Sequence, residues 1–330
     1  MLVQNSYNET FSWDAFMKYA KVLHNPKAGE NEFSKKKLLA MIHAAGFECS
    51  YSSTKHKGWD DLEATEADFI VLAGGDGTVR KVAGALLDKK LPVGLIPLGT
   101  ANNIAKTLGL KGKTEDIIRG WNEKNVKKYD VGRIYGLKKA SFFLEGFGYG
   151  FFPRLMKAMD ENKHKLTDSP EKNLKLALET MHDIILTSKA QHCRITVDGA
   201  DYSGDFLLAE VMNAQSIGPN LNLAPFADPG DGVLDVILIS ERQREEFANY
   251  VLNKLHDKEQ PPVFNILKAK NLEIYWEGKL LHVDDEIIQL KKPQEVKIKL
   301  QEGVLEFLVP RPTNAKENGL PPPEANAGKR

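Results

Sequence analysis

A short glycine-rich segment, Gly74-Gly75-Asp76-Gly77-Thr78, lies between an apolar run and a segment with helical periodicity. Glycine permits positive φ angles and lets a ligand approach the backbone closely. The N–H groups at the start of a helix favour phosphate oxygens. Asp76 would repel phosphate unless a cation or a proton lay between them, so the segment indicates nucleotide phosphates bound with Mg²⁺. A tight turn with an aspartate cap is the alternative interpretation.

Two further loops carry residues suited to phosphate binding. HNPKAG at 24–29 and PLGTANNIA at 97–105 each follow a predicted strand and combine glycine with polar side chains. Loops that follow parallel strands meet at one edge of the sheet, where ligands bind. The chain contains no GxxxxGK[ST] segment, and GGDGT lacks the GxGxxG spacing, so neither fingerprint explains the pattern. The residues that suggest these contacts are Asn25, Pro26, Gly29, Gly99, Thr100 and Asn102.

The segments around these loops predict two kinds of architecture. From about residue 18 to 130, short apolar runs alternate with helical patterns, which indicates a mostly parallel sheet covered by helices. Beyond this point the chain is mainly strands with hairpin signals such as Asp198-Gly199, which predicts an antiparallel β-sandwich. The predicted fold class is therefore α/β + β, with a Rossmann-like domain first. The predicted units are an N-terminal extension (1–17), an α/β domain (18–135), a β-sandwich whose last strand can return to the first domain (136–312) and a disordered tail (313–330).

The composition narrows the classes of function. Lys+Arg and Asp+Glu number 45 each, so the formal net charge is zero and nucleic acid is not an expected partner. Cys49 and Cys193 are the only cysteines, which favours a reducing cytoplasm over a disulfide framework. The N-terminal segment lacks the features of a signal peptide, and no apolar run approaches the ~20 residues that span a bilayer. A lipid substrate would therefore be met at the membrane surface.

Taken together, NPKAG, GGDGT and PLGTANN resemble the diacylglycerol kinase catalytic-domain superfamily, which includes bacterial diacylglycerol kinase-like lipid kinases and sphingosine kinases. The second half extends the resemblance in the correct order, with LEGFGYGFF (144–152), PFADPGDGVLDVILI (225–239) and HVDDEI (282–287). The resemblance spans roughly residues 18–310. It implies an active site in the cleft between the two domains, where the γ-phosphoryl group of ATP is transferred to a lipid hydroxyl with the help of Mg²⁺.

The resemblance also implies roles for individual residues. Glu286 would accept the proton of the lipid hydroxyl with Asp284 beside it, and Asp76 would lie near the phosphates and the metal. Asn103 would lie near the acceptor hydroxyl. The implied metal-site residues are Asp130 near the domain junction and, for a structural Mg²⁺, the Asp231 side chain with the carbonyl groups of Asp228 and Val233. The implied ATP-contacting residues are Asn25, Pro26, Lys27, Ala28, Gly29, Thr54, Gly74, Gly75, Gly77, Thr78, Lys81, Gly99, Thr100 and Asn102.

Two positions depart from the family pattern. Asp284-Asp285-Glu286 stands where the family often has Asp-Gly-Glu, and strand alternation would put Asp284 and Glu286 on one face with Asp285 facing away. Asn103 stands where many bacterial members have aspartate. An amide both donates and accepts hydrogen bonds, whereas a carboxylate only accepts. The preference for diacylglycerol, a sphingoid base or another bacterial lipid is therefore left open.

Two other functions are compatible with the sequence. NAD kinases resemble the chain at GGDGT but lack the PLGTANN and PxAxxxDG segments, and the departures at Asn103 and Asp285 make an inactive nucleotide-binding regulator conceivable. Residues 151–165 could contact a membrane or dock on the second domain, and Lys81 could assist phosphate or lie exposed. The expected setting is peripheral, at the inner membrane surface, and an edge strand could pair in a homodimer.

Overall fold

The computed structural model describes residues 18–29, 33–62, 66–87, 89–167, 169–258 and 264–311. The predicted N-terminal extension (1–17) and tail (313–330) lie outside the described residues. None of the helices in the described part of the chain has the length and hydropathy needed to cross a bilayer.

The first domain alternates strands and helices around a parallel sheet. Its elements are β1 (Tyr19–His24), α1 (Lys35–Ala44), β2 (Glu48–Ser53), β3 (Phe69–Gly74), α2 (Asp76–Leu86), β4 (Val93–Pro97), α3 (Asn103–Thr107) and α4 (Thr114–Gly120). The sheet order is β2-β1-β3-β4, and all three pairings are parallel. Every residue of β3 is buried, as expected of a strand covered by helices on both faces. The carboxyl ends of β1, β3 and β4 therefore meet at one edge.

The second domain is built mainly from antiparallel strands, and three helices pack on it. Its elements are β5 (Val126–Tyr135), β6 (Phe142–Phe143), β7 (Gly146–Tyr149), α5 (Phe151–Glu161), α6 (Pro170–Thr187), β8 (Gln191–Val197), β9 (Ala200–Asp201), β10 (Gly204–Met212), β11 (Ser216–Ile217), β12 (Leu221–Asn222), β13 (Leu234–Ser240), α7 (Arg244–Leu255), β14 (Ile266–Ala269), β15 (Asn271–Trp276), β16 (Leu280–Val283), β17 (Glu286–Gln289) and β18 (Glu295–Leu308). The α/β + β fold class predicted from the sequence is confirmed.

One strand joins the two domains. β18 pairs antiparallel with β15 and β5, and its last residues pair in parallel with β4, where Leu308 lies opposite Gly94. A register shift between Gln301 and Leu305 bends β18 between these two partners. The paired strands of the two domains therefore form one continuous hydrogen-bonded network, and this fixes the position of the second domain relative to the edge of the first sheet.

Alternate side chains along the strands of the second domain fill a hydrophobic core. This core is separate from that of the first domain. Trp121 lies in the first core, beneath the parallel sheet, and Trp276 lies in the second, where it stacks on Tyr149. A third cluster forms where α6 packs against α5 and α7, with Phe151 of α5 stacked on Phe247 of α7. Phe151, Phe152 and Leu155 of α5 are buried in this cluster, as docking on the second domain predicts, and membrane contact by residues 151–165 stays a prediction.

Candidate active site

The two glycine loops after β3 and β4 touch through their backbones. A Cβ added at Gly75 would lie 2.8 Å from the Cα of Gly99, and one added at Gly99 would lie 2.6 Å from the Cα of Gly75. Gly75 has a φ of −94°, which any residue can adopt. The need for glycine at these two positions is therefore close backbone contact rather than a positive φ. Among the predicted loop glycines, Gly29 is the one with a positive φ, at +73°.

The loop after β1 joins the same cluster. The Asn25 side chain donates a hydrogen bond to the Thr78 hydroxyl (3.1 Å), and its backbone N–H donates to the carbonyl of Ala73 (2.9 Å). Asn25 Oδ1 accepts from the Lys27 N–H at 3.2 Å, which tightens the turn. Gly29 faces Leu98, 3.5 Å from an added Cβ. The three predicted loops thus converge at one edge of the sheet.

Asp76 links the second loop to the third. Its carboxylate accepts hydrogen bonds from the backbone N–H groups of Asn103 (3.0 Å) and Ile104 (3.1 Å). Asp76 is therefore an aspartate cap, but it caps α3 rather than its own helix. Burial raises the pKa of Asp76, and the two N–H donors oppose this effect. The same carboxyl group lines the cleft between the domains.

The remaining predicted ATP-loop residues surround this cluster. Thr54 is buried, and its carbonyl accepts a hydrogen bond from the Lys81 ammonium (2.7 Å), which also lies over the Trp59 ring. Asn102 closes its own loop, because its side chain accepts from the Gly99 N–H and donates to the Gly99 carbonyl. Thr100 is exposed beside it. The Lys81 side chain is thus held beside the residue that follows β2.

The predicted acidic motif forms the turn between β16 and β17. Asp284 has a φ of +51°, and its carboxylate accepts N–H hydrogen bonds from Leu144 (3.1 Å), Glu145 (2.7 Å) and Gly146 (3.1 Å). Burial raises the pKa of Asp284 to about 6, while Arg80 and these N–H groups oppose the increase. The three N–H donors therefore fix this carboxylate in position.

The expectation that Asp285 faces away from the cleft is wrong. Asp284 and Asp285 lie in the turn itself, where strand alternation does not apply. Asp285 lines the cleft and reaches over the start of α2, so that a Cβ added at Gly77 would lie 2.6 Å from its Oδ2. The absence of a side chain at Gly77 therefore makes room for a carboxylate from the other domain.

The motifs do not single out Arg80, which connects the two halves of the site. Its Nε lies 3.0 Å from Asp284 Oδ2, and its Nη1 lies 3.0 Å from Glu286 Oε2 and 3.7 Å from Asp285 Oδ1. The signal available in the sequence is its spacing, because residues four apart share a helix face and Arg80 follows Asp76 by four. The acidic turn thus has a counter-charge supplied by the helix that follows GGDGT.

A cleft of about 200 Å³ lies between the glycine loops of the first domain and the second domain. Carboxylate, amide and imidazole groups line it together with apolar side chains, most of them from α5 and β11. The polar residues are Asp76, Asn103, Glu145, His282, Asp284 and Asp285, and the apolar ones are Ala101, Phe152, Leu155, Met156 and Ile217. Glu145 is a second residue that the motifs do not single out. Glu286 lies at the Arg80 ion pair and is not among the residues that line the cleft.

The residues predicted for the metal network lie around the loop before β13. The Asp130 carboxylate accepts N–H hydrogen bonds from Gly232 (3.0 Å) and Gly303 (2.7 Å), so it ties this loop to the bend of β18. Lys127 lies 2.8 Å from Asp228, and Lys268 lies 3.7 Å from Asp231. Asp231 Oδ1 also accepts the Val233 N–H at 3.1 Å.

Within the described ranges, no three His, Cys, Asp or Glu side chains are grouped so that they could hold a metal ion. A structural Mg²⁺ would thus depend on the Asp231 carboxylate and backbone carbonyls in a loop whose carboxylates already have lysine partners. Asp76 and its neighbours offer carboxylate oxygens of the kind that Mg²⁺ uses together with substrate phosphates. The donor chemistry of the cleft therefore fits a metal that binds with the nucleotide.

Two family models match the chain in succession. The diacylglycerol kinase catalytic domain matches residues 19–134, and the YegS C-terminal NAD kinase beta sandwich-like domain matches residues 157–307. A diacylglycerol kinase of Bacillus subtilis (strain 168) is 28% identical over 286 residues, covering 82% of this chain and 90% of the relative. One from Staphylococcus aureus (strain MRSA252) is 26% identical over 287 residues, covering 82% and 86%.

The solved structures agree with this similarity. The crystal structure of a diacylglycerol kinase from Bacillus anthracis str. Sterne matches with a TM-score of 0.68 at 25% identity, covering 90% of this chain and 98% of that one. The two family models match in the order in which the two domains follow one another in this chain. The resemblance inferred from the sequence motifs is therefore confirmed. The chain belongs to the kinase superfamily defined by the diacylglycerol kinase catalytic domain.

Proposed function

We propose that the chain is an ATP- and Mg²⁺-dependent lipid kinase that phosphorylates a hydroxyl group of a diacylglycerol-like or sphingoid lipid. The observation that carries this proposal is the make-up of the cleft, which Asp76 and Asn103 of the predicted ATP loops line together with apolar side chains of α5. A small polar acceptor gains nothing from an apolar wall, whereas a lipid can bury the methylenes next to its headgroup there. The names of the relatives support the same class of acceptor.

The three converging loops suit the phosphate chain of ATP. Phosphoryl transfer depends on positioning and charge neutralisation more than on covalent help from the protein. The first turn of α2 offers N–H groups, and the Thr78 hydroxyl is held in place by Asn25. Mg²⁺, when bound between Asp76 and the phosphates, would supply the neutralisation of negative charge. We expect a phosphate chain held by these loops to present its γ-phosphoryl group to the cleft.

The acidic turn suits activation of the acceptor. In the proposed reaction the hydroxyl oxygen forms a bond to the γ-phosphorus, the bond from that phosphorus to ADP breaks, and the hydroxyl proton passes to a carboxylate. Glu286 is the proposed proton acceptor and Asp284 the group beside it. Arg80 holds both carboxylates on the side of the turn that faces α2. A general base needs this kind of fixed position near the reacting oxygen.

An assay with labelled ATP tests the proposed function directly. Vesicles carrying diacylglycerol or a sphingoid base are compared with NAD as acceptor, each with Mg²⁺ and with excess chelator. We expect label in a lipid, loss of transfer with chelator and recovery on adding Mg²⁺. The Glu286→Gln variant should bind ATP as the wild type does but transfer phosphate far more slowly.

Two other outcomes would contradict the lipid kinase assignment, and a third would change only its metal requirement. Transfer to NAD and to no lipid would make the chain a kinase of the NAD kinase type. A wild type that transfers phosphate to no acceptor, with Glu286→Gln binding ATP equally well, would make it an inactive nucleotide-binding regulator. Lipid transfer that is insensitive to chelator would remove Mg²⁺ from the proposal and leave the lipid kinase assignment intact.

A further inference from the structure

A completely buried carboxylate–imidazole pair lies beside the acidic turn, and no step of the proposed reaction uses it. Glu210 of β10 and His282 of β16 are both 0% exposed, and His282 Nε2 lies 3.0 Å from Glu210 Oε2. The other oxygen of this carboxylate, Oε1, is also buried and finds no hydrogen-bond partner among the described residues. Taking such groups out of water is costly, and apolar residues of similar volume often stabilise a core at least as well. Stability alone therefore does not explain the pair.

The second nitrogen of the imidazole contacts the backbone of the acidic turn. His282 Nδ1 lies 3.0 Å from the carbonyl oxygen of Asp284. Because a carbonyl oxygen only accepts hydrogen bonds, Nδ1 must carry a hydrogen and donate it. Nε2 then shares a hydrogen with Glu210, whichever of the two groups carries it. The imidazole also packs edge-to-face with the Phe152 ring. The ring is thus held at both nitrogens, and its direction toward the turn is fixed.

The carbonyl group that His282 holds belongs to the central peptide unit of the hairpin turn. Val283 pairs with Glu286 across the hairpin. Asp284 and Asp285 are therefore the two residues of a tight turn, and Asp284 has the positive φ, +51°, that such turns need at their first position. The two favoured turn types, I′ and II′, differ mainly in the direction of the central peptide unit. A hydrogen bond to its carbonyl oxygen selects one of these directions.

The direction of this peptide unit sets the course of the chain through the next two carboxylates. Rotating the unit changes the φ of Asp285, whose side chain now reaches over Gly77. It also changes how the chain enters β17 at Glu286, which lies 3.0 Å from Arg80 Nη1. The buried imidazole therefore acts on both carboxylates through the backbone.

We propose that His282 is a positioning residue for phosphoryl transfer: its Nδ1–H fixes the acidic turn so that Glu286 is held where it accepts the hydroxyl proton, and Glu210 keeps the imidazole in place. The inference rests on the kinase function proposed above. A carboxylate that holds an imidazole in one tautomer and orientation is also found in catalytic triads. Here the imidazole acts on the backbone of the turn and not on the substrate. A displacement of a reacting group by about 1 Å can cost about 100-fold in rate.

Replacing both buried groups by apolar residues of similar size separates positioning from stability. The Glu210→Met/His282→Phe variant leaves neither a carboxylate nor an imidazole buried without its partner, so we expect a melting temperature close to that of the wild type. The turn loses its hydrogen bond, so we expect kcat for the lipid to fall about 10- to 100-fold with KM for ATP unchanged. Glu210→Gln is the conservative comparison. Its NH₂ group can donate to Nε2 and still hold the ring, and should recover most of the lost kcat.

Single replacements of His282 give a second measurement that keeps a buried polar side chain. Asparagine places its NH₂ group near the position of Nδ1, and glutamine places it near that of Nε2. We therefore expect His282→Asn to keep more of the wild-type kcat than His282→Gln. The reverse order would mean that the contact with Glu210, and not the contact with the turn, is what matters, and would overturn the proposal.

A double-mutant cycle with Glu286→Gln assigns the effect to the proton acceptor. Where Glu286 is already replaced, the apolar pair should lower kcat by no more than about 2-fold further, because there is no base left to position. An equal loss in both backgrounds would overturn the proposal, and so would a loss in Glu210→Gln as large as that of the apolar pair.

A matched control removes an exposed pair of the same kind. His192 and Asp205 lie 3.1 Å apart on the surface, and His192→Gln/Asp205→Asn should change neither kcat nor the melting temperature. A wild type that transfers phosphate to no acceptor would overturn the proposed function together with this inference. An active wild type whose apolar-pair variant keeps its kcat would overturn the inference alone.

Discussion

Among the single residues of the site, Arg80 has the largest number of charged partners. One guanidinium contacts Asp284 and Glu286 at 3.0 Å each and approaches Asp285 at 3.7 Å. Its planar fork can hold two carboxylates in a fixed relation, which an ammonium group cannot do. Since Arg80 lies on the helix that Asp76 begins, the GGDGT loop and the acidic turn are held in one arrangement.

Replacing Arg80 by glutamine should move the acidic limb of the pH–activity profile to higher pH. The pKa of Asp284 is about 6 because burial raises it and the Arg80 charge lowers it. Without that charge the pKa rises further, so the ionised form is lost at a higher pH as the solution is acidified. Measuring kcat/KM from about pH 5 to 9 locates the limb.

Two further substitutions complete that experiment. Arg80→Lys keeps the charge but not the fork, so we expect a limb close to that of the wild type with a lower kcat. Arg119→Gln removes an exposed arginine that pairs with Asp116 on α4, and should change neither quantity. An unchanged limb in Arg80→Gln would mean that Asp284 does not control the profile.

Asp76 should show two effects when it is replaced by asparagine. Its two carboxylate oxygens each accept one N–H of α3, and an asparagine offers a single oxygen. We expect kcat to fall by orders of magnitude and the free energy of unfolding to fall by about 0.5–2 kcal/mol, as for the loss of a helix cap. Chemical denaturation and steady-state kinetics measure the two separately. A variant with unchanged kcat would exclude Asp76 from the reaction and leave it as a cap alone.

At the scale of elements, the glycines of β7 make room for a buried pair from neighbouring strands. Glu210 of β10 and His282 of β16 are both completely buried, and His282 Nε2 lies 3.0 Å from Glu210 Oε2. A Cβ added at Gly148 would lie 1.9 Å from that oxygen. His282 Nδ1 lies 3.0 Å from the carbonyl oxygen of Asp284. The glycine-rich strand therefore supports the acidic turn through the Glu210 and His282 side chains.

The Gly148→Ala substitution tests this support. The new methyl group would overlap the Glu210 carboxylate and approach the Ala209 carbonyl at 2.9 Å, so we expect a loss of about 1–3 kcal/mol or more in unfolding free energy. Gly84→Ala is the matched control. Its methyl group would meet nothing nearer than 3.7 Å on an exposed face of α2, and should stabilise the helix by up to about 1 kcal/mol. Equal stability of Gly148→Ala and wild type would contradict the packing described.

On the scale of the whole molecule, the continuous strand network should make the two domains unfold together. β18 contributes Ile298 to the second core and Phe307 to the first, where Phe307 packs edge-to-face on Tyr129. Neither core is complete without this strand. Separation of the domains would therefore expose apolar surface of both, and an intermediate with one folded domain should not accumulate.

The Phe307→Ala variant measures that coupling. We expect the free energy of unfolding to fall by about 3–5 kcal/mol, and we expect both cores to unfold in a single transition. Fluorine NMR of protein labelled with fluorotryptophan follows Trp121 of the first core and Trp276 of the second separately during denaturation. Loss of the Trp121 signal at a lower denaturant concentration than the Trp276 signal would show that the domains unfold independently.

Much of this organisation is readable from local patterns. β3 is wholly apolar, and the loops that follow its neighbouring strands are polar. Together these features indicate a parallel sheet with a ligand-binding edge. They can be read from the sequence because burial of a strand on both faces and turn chemistry are both properties of short segments. The Asp198-Gly199 hairpin signal likewise predicts the turn that joins β8 to β9, where both residues have positive φ. The loop glycines can also be recognised in the sequence. The close contact between the loop backbones that requires these glycines cannot.

The amino-acid sequence by itself determined the family, the order of the two folds and the three loops that meet at the sheet edge, since each depends on residues close together in the chain. Only the tertiary structure decided the contacts across the cleft: Arg80 with the acidic turn, and Asp285 over Gly77. These contacts join residues that lie far apart in the chain, and no local periodicity records which side chains will meet. Their meeting depends on where β18 places one domain against the other.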